Sequence, residues 1–199
     1  TLMPGIELST SWQKRNIHIV GLNIDTANRE LRAGIAAQQA RRLARAHRIA
    51  HRLTRLGIDD PFDAVAKIAG DASIGRPHFA RHLVEIGKVR DVQAAFKKYL
   101  GAGKIGDVSQ SWPSFAEAIQ WITAAGGIAV LAHPAKYRFT MTKLRALLED
   151  FVEAGGCGME VVCGHQDPGL TRRLAGLASD FGLLASTGSD FHHPGNKWS

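Results

Sequence analysis

The spacing of apolar positions changes twice along the chain. Residues 17–25, IHIVGLNID, alternate apolar and polar in the two-residue period of a half-buried strand, behind a turn-like MPGIE at 3–7. From 29 to about 110 the pattern is helical and charged, broken by stop signals at Gly57, Pro61, Gly70, Gly75 and Gly87, with no strand signature. Within it, ARRLARAHRIAHRLTRLGI at 40–58 holds Leu43, Ala46, Ile49, Ala50 and Leu53 on helical spacing, which predicts an amphipathic helix. From Trp112 onward, predicted helices at 114–126, 143–155 and 169–182 alternate with apolar runs GIAVLAH, GMEVVC and LLAS. Short strands separated by helices of that length predict parallel β-α units and an α/β fold. In such sheets ligands gather at the carboxyl ends of strands.

Composition narrows the class. A chain of 199 residues that is 45% hydrophobic can bury one sizeable core, or a core with a smaller lobe. Its longest apolar runs, such as GGIAVLA at 126–132, fall far short of the roughly 20 residues that span a bilayer, so no membrane association is expected. Cys157 and Cys163 lack C-x-x-C spacing and suggest neither a disulfide framework nor a zinc ribbon, which favours a reducing, cytoplasmic setting. The 25 basic against 18 acidic residues give a formal charge of +7, an excess that favours polyanionic partners. Much of it sits on the 40–58 helix, where Arg41, Arg42, Arg45, Arg48, Arg52 and Arg55 accompany His47 and His51. That basic face reads either as a wall facing phosphate or as a solvated surface.

The strand termini carry the candidate chemistry. AVLAHPAK places His133 directly after a strand, with Pro134 ending it, and TGSDFHHPG places Asp190 and His192 one residue apart in a loop after LLAS. MPGIELS offers Glu7, and IHIVGL offers His18 where a strand begins. Imidazole nitrogens and carboxylate oxygens together suit zinc, manganese or iron, and a carboxylate can bridge two ions. Four segments presenting such groups point to a multinuclear metal site.

Taken in order, PGIELST, HIVGL, GRPHFARHLVEIGKV, VLAHPAKYR, GMEVVC and GSDFHHPG resemble the PHP family of metal-dependent phosphoesterases, in particular its TrpH-like branch. That branch includes a nucleoside 3',5'-bisphosphate phosphatase and a 5'-to-3' exoribonuclease acting on short RNA. The resemblance implies a distorted β/α barrel of about seven strands with its metals at the strand carboxyl ends, where barrel enzymes place their chemistry. It implies a discontinuous core, residues 1–28 and 111–199, and a helical insertion, 29–110, that covers the site. By position, Glu7 is the bridging carboxylate, His18 and His133 share its metal, and Asp190 and His192 serve neighbouring metals, two or three divalent ions in a complete site. On the same resemblance Arg76 and His78 of GRPH would face the substrate phosphate, with Arg42 of the basic helix beside them; of His78 and His192, His78 is the expected proton donor to the leaving oxygen, because a metal ligand is poorly suited to that role. The implied activity is hydrolysis of phosphate esters on small nucleotides or the 5' ends of short RNA, with no obligate protein partner.

The family's H-x-H and D-H motifs do not occur in these 199 residues. Their usual place is upstream of PGIE, so the expectation is a fragment of a longer polypeptide whose isolated activity is in doubt. Two other readings remain at this point. One is a nucleic-acid-binding module without catalysis, resting on the basic helix; the other is a degenerate regulatory PHP domain.

Overall fold

The computed structural model describes residues 2–109 and 112–191. Its backbone divides into two compact units, Thr1–Gly34 with Trp112–Ser199, and Ile35–Ser111.

The first unit is built on a five-stranded sheet in the order β1-β2-β3-β4-β5. Strands β1 (Gly5–Trp12) and β2 (Arg15–Leu22) form an antiparallel hairpin, β2 pairs antiparallel with β3 (Ile128–Leu131), and β4 (Gly158–Cys163) and β5 (Leu184–Gly188) extend the sheet in parallel. Helices α6 (Met141–Glu153) and α7 (Pro168–Asp180) supply the crossovers expected for the parallel part, and α5 (Phe115–Ala124) leads into β3.

MPGIE is only partly the turn that its composition suggests: the strand has begun by Gly5 and pairs with β2 from Gly5↔Leu22 to Trp12↔Arg15. Its buried positions include Ser9 and Thr10, on opposite faces of the strand, which hides the alternation from a hydrophobicity count. Burial is tolerated because the Thr10 hydroxyl donates to the Ile17 carbonyl at 2.7 Å. The hairpin turns through Gln13 and Lys14, both non-glycine residues at positive φ, 46° and 63°. A two-residue hairpin turn matches the strands' twist in this geometry, which ordinarily selects Asn-Gly.

Helix α5 starts where its sequence says it should. The Ser114 hydroxyl accepts from the Glu117 N–H at 3.2 Å, and the Glu117 carboxylate accepts from the Ser114 N–H at 2.8 Å. The apolar core between sheet and helices includes Ile17, Ile19, Ile119, Ile122, Leu131, Leu148 and Phe151, each fully buried. The first turns of α1 (Arg29–Thr54) belong to this unit, and Gly34 lies so close to Trp121 that a Cβ there would sit 2.5 Å from the indole ring.

The second unit has helices and no strand among its described residues: the rest of α1, α2 (Phe62–Ala69), α3 (Arg76–Glu85), and α4 (Val92–Ala95) running into one π turn at Phe96–Leu100. Ala46, Ile49, Ala50 and Leu53 of α1 close over Val65, Phe79, Leu83 and Leu100. Leu43, expected on the same stripe, is 48% exposed instead, because the lobe's core stops short of that turn. Among the described residues no helix is long and apolar enough to cross a membrane.

Candidate metal centre

Glu7 on β1 and His18 on β2 are diagonal neighbours across the hairpin, since Glu7 pairs with Val20 and His18 with Ser9. The apolar pattern puts His18 where its strand begins; in the structure it lies three residues inside β2, which starts at Arg15. His133 follows β3 and reaches the same point from the strand's carboxyl end. The Glu7 Oε1 lies 2.5 Å from His18 Nδ1 and 3.2 Å from His133 Nε2. Among the described residues this is the group of metal-ligating side chains that converges, with its ligand atoms within 4.8 Å of one another.

The backbone around His133 is bent to achieve this. His133 adopts a left-handed conformation, φ 31° and ψ 55°, and Pro134 then opens a 3-10 turn, Pro134–Tyr137. A non-glycine residue held there costs on the order of 1–3 kcal/mol and persists only where its surroundings enforce it. Enforcement comes from Glu160 on β4, whose carboxylate accepts the His133 N–H at 2.7 Å, and from edge contacts of the ring with His18 and Tyr137 at 5.0 and 5.5 Å. Gly188 leaves room for Glu160: a Cβ at that position would run into its carboxylate.

Tyr137 ties the two histidine segments together. Its hydroxyl accepts the His18 N–H at 2.9 Å and donates to the Ala132 carbonyl at 2.8 Å. Burial pushes the phenol's pKa up, and the carboxylates of Glu7, Glu160 and Asp190 add to that, so it remains a proton donor. Neither Glu160 nor Tyr137 stands out in the sequence. Their signal is faint: a lone acid inside the apolar GMEVVC and a tyrosine four residues beyond the strand-end histidine. Tyr137→Phe is expected to weaken divalent-metal affinity by about 10- to 100-fold, the usual cost of losing a group that orients metal ligands. Metal titration of the variant checks this, and an unchanged affinity would show that the turn holds without the hydroxyl.

The three ligands fit a divalent ion. His133 and then His18, hydrogen-bonded to Glu7, hold its carboxyl well below the usual carboxylate range, so it is ionised at neutral pH. Ligands at about 2.0–2.2 Å from a tetrahedral ion lie about 3.3 Å apart. The Glu7–His133 pair already has that separation, at 3.2 Å, and the Glu7–His18 pair has to open by less than an ångström. His133 Nδ1 is buried with no hydrogen-bond partner among the described residues, so the ring depends on what its other nitrogen binds.

Asp190 stands two residues beyond β5, also at positive φ, and its carboxylate is ion-paired with the Lys136 ammonium. It adds to the field on Tyr137 and Cys163, as Glu7 and Glu160 do. His192 lies outside the described residues.

The phosphate-binding candidates lie in the helical unit. Arg76 opens α3, donates to the Leu100 carbonyl at 3.2 Å and stands 3.6 Å from Asp107. His78 Nδ1 accepts the Gly75 N–H at 3.0 Å, which leaves the neutral ring's proton on Nε2. Burial, then Arg81, pulls the His78 pKa down. Arg42 is half-buried, and burial lowers its pKa. Part of the basic face is structural: Arg45 donates to the Val108 carbonyl at 2.8 Å, and Arg52 to Ile105 at 3.1 Å.

No family model matches the chain. Individual proteins do. It is 44% identical over 193 residues to a 5'-3' exoribonuclease of Haemophilus influenzae, covering 97% of this chain and 70% of that protein. It is 44% identical over 192 residues to a 3',5'-nucleoside bisphosphate phosphatase of Chromobacterium violaceum, covering 96% and 67%. The 5'-3' exoribonuclease Rnm of Escherichia coli is 43% identical over 193 residues, 97% of this chain and 66% of that protein. Among solved structures, an amidohydrolase from Chromobacterium violaceum with bound sulfate and no metal superposes with a TM-score of 0.84 at 43% identity, over 97% of this chain and 68% of that one. A structure described as a metal-dependent phosphoesterase of Bifidobacterium adolescentis gives 0.82 at 28% identity, over 100% and 70%.

Proposed function

The chain belongs to the PHP-type metal-dependent phosphoesterase family of these exoribonucleases and this bisphosphate phosphatase, and on that premise we propose that it hydrolyses phosphate esters of nucleoside 3',5'-bisphosphates or of short RNA 5' ends. The observation that carries the reading is the meeting of Glu7, His18 and His133 at one point. Its five-stranded sheet corresponds, in this reading, to part of the distorted seven-stranded barrel, with residues 29–110 as the inserted lobe.

Glu7, His18 and His133 would hold one divalent ion, with Asp190 and His192 contributing to neighbouring ones. Bound there, manganese, iron or zinc lowers the pKa of a water toward neutrality and neutralises phosphoryl oxygens. The chain's own residues do the rest. Glu7 stays ionised under its two imidazoles and fixes their orientation. Glu160 and Tyr137 lock the strand-end turn, so the ligand atoms are in place before substrate arrives. Arg76 is assigned to the substrate phosphate, where a guanidinium fork makes two charge-assisted bonds. Arg42 adds charge. His78 is assigned to the leaving oxygen, with Nε2–H as its donor because Nδ1 is occupied.

Arg76→Ala is expected to raise KM for a phosphorylated substrate by about 10- to 100-fold, the cost of a lost hydrogen bond to a charged group. Its melting temperature should shift little. An unchanged KM would make Arg76 a brace for the Leu100 carbonyl and nothing more. The function itself is tested by metal analysis of the intact protein with parallel assays on a nucleoside 3',5'-bisphosphate and a short 5'-phosphorylated RNA. Salt-sensitive RNA binding with no metal-dependent hydrolysis of either would overturn it.

A further inference from the structure

Besides bonding to the histidine segments, Tyr137 walls a cleft in the first unit, about 360 Å³ in volume and lined by Lys14, Arg15, Asn16, Lys136, Tyr137 and Phe139. Three of the six are cationic and none is acidic. Lys14, Arg15 and Asn16 are all exposed, and among the described residues no carboxylate lies within 4.0 Å of the Lys14 or Arg15 charge. The hairpin tip presents these charges at a cost, because Gln13 and Lys14 both hold positive φ without being glycine. The rest of the lining is aromatic. Phe139 is half-buried and supported by Tyr137 and Trp12, with ring centroids 5.6 and 6.0 Å away.

Unpaired cations beside a supported aromatic ring are the elements by which proteins hold a single nucleic-acid strand, phosphates on the charges and a base on the ring. Two residues join the cleft to the metal centre. Tyr137 walls the cleft and bonds to the His18 backbone, while Lys136 lines it and pairs with Asp190. We propose that this cleft receives a downstream phosphate and its nucleotide from a single-stranded RNA whose 5' end lies at Glu7, His18 and His133. It is a polynucleotide subsite, which a mononucleotide does not reach. The proposal rests on the phosphoesterase reading for where the 5' end lies, but the cleft's affinity for RNA stands apart from hydrolysis.

The test is the double variant Lys14→Gln with Arg15→Gln in the intact, metal-loaded protein. Both positions are exposed and lie outside the metal and phosphate machinery, so melting temperature and metal content should match wild type. For a five-nucleotide 5'-phosphorylated RNA, kcat/KM is expected to fall about tenfold through KM, as lost phosphate contacts weaken binding without touching chemistry. Turnover of a nucleoside 3',5'-bisphosphate should not change. Anisotropy titration with a phosphorothioate-linked RNA of the same length reads binding directly, and the slope of log affinity against log salt should become shallower by about 1.4 for two lost single-strand contacts. Equal loss on both substrates would mean that the charges act as a diffuse field, and an unchanged RNA affinity that the cleft binds something else, such as an acidic protein segment; either result overturns the proposal. If wild type hydrolyses neither substrate, the phosphoesterase reading fails, and the anisotropy result still decides the cleft.

Discussion

Glu7→Gln in the intact protein is expected to abolish nearly all phosphoesterase activity, by about 10³-fold or more in kcat/KM, since metal-borne charge stabilisation is worth several kcal/mol. The substitution keeps the shape and removes the charge. Gln can still hydrogen-bond with His18 and His133, but it cannot hold an ion between them as an anion does. The Glu7 side chain is 41% exposed, so folding should survive, and the melting temperature without metal is the control. Metal content should fall in parallel with activity. Wild-type turnover at unchanged metal content would remove Glu7 from the site.

Phe151→Ala should produce the largest loss of stability, about 3–5 kcal/mol, as expected for emptying an aromatic site in a packed core. The ring is fully buried on the inner face of α6, and the backbone of Gly156 already lies against it, so little can move in to fill the space. The consequence extends to the metal centre. Asp150, the preceding residue, accepts the Trp12 indole N–H at 2.6 Å and ties α6 to β1, the strand that carries Glu7. Denaturant titration gives the number directly, and a loss below about 1 kcal/mol would mean that the core relaxes around the cavity.

The two halves of the first unit differ in how plainly the sequence shows them. Strands β3 and β4 are short apolar runs flanked by helices and are legible as such, whereas β5, read from LLAS as a buried strand, runs on into Ser-Thr-Gly and leaves Leu184 61% exposed. Strand β1 is harder to see, because Ser9 and Thr10 occupy buried positions, and the Thr10 hydroxyl is satisfied within the hairpin, a tertiary fact with no composition signal. The convergence of Glu7 with His18 depends on that hairpin's register, which residue spacing does not reveal; at the level of sequence the two are joined only as ligand-type side chains near predicted strand ends and by the family resemblance. His133 is easier: a histidine wedged between a strand and a proline has few places to go. Glu160 and Tyr137 escape notice because their importance is relational, one supporting a backbone N–H and the other two backbone groups from separate segments.

The hairpin tip gives a warning to anyone engineering this protein for heat resistance. A consensus redesign would replace Gln13 and Lys14 with Asn-Gly, the pair that two-residue turns favour, and would gain about 1 kcal/mol by relieving two strained backbones. The same edit deletes the Lys14 charge. A thermostable variant selected on a nucleoside bisphosphate would keep its activity there and bind RNA more weakly, and the defect would surface only when substrate length was varied.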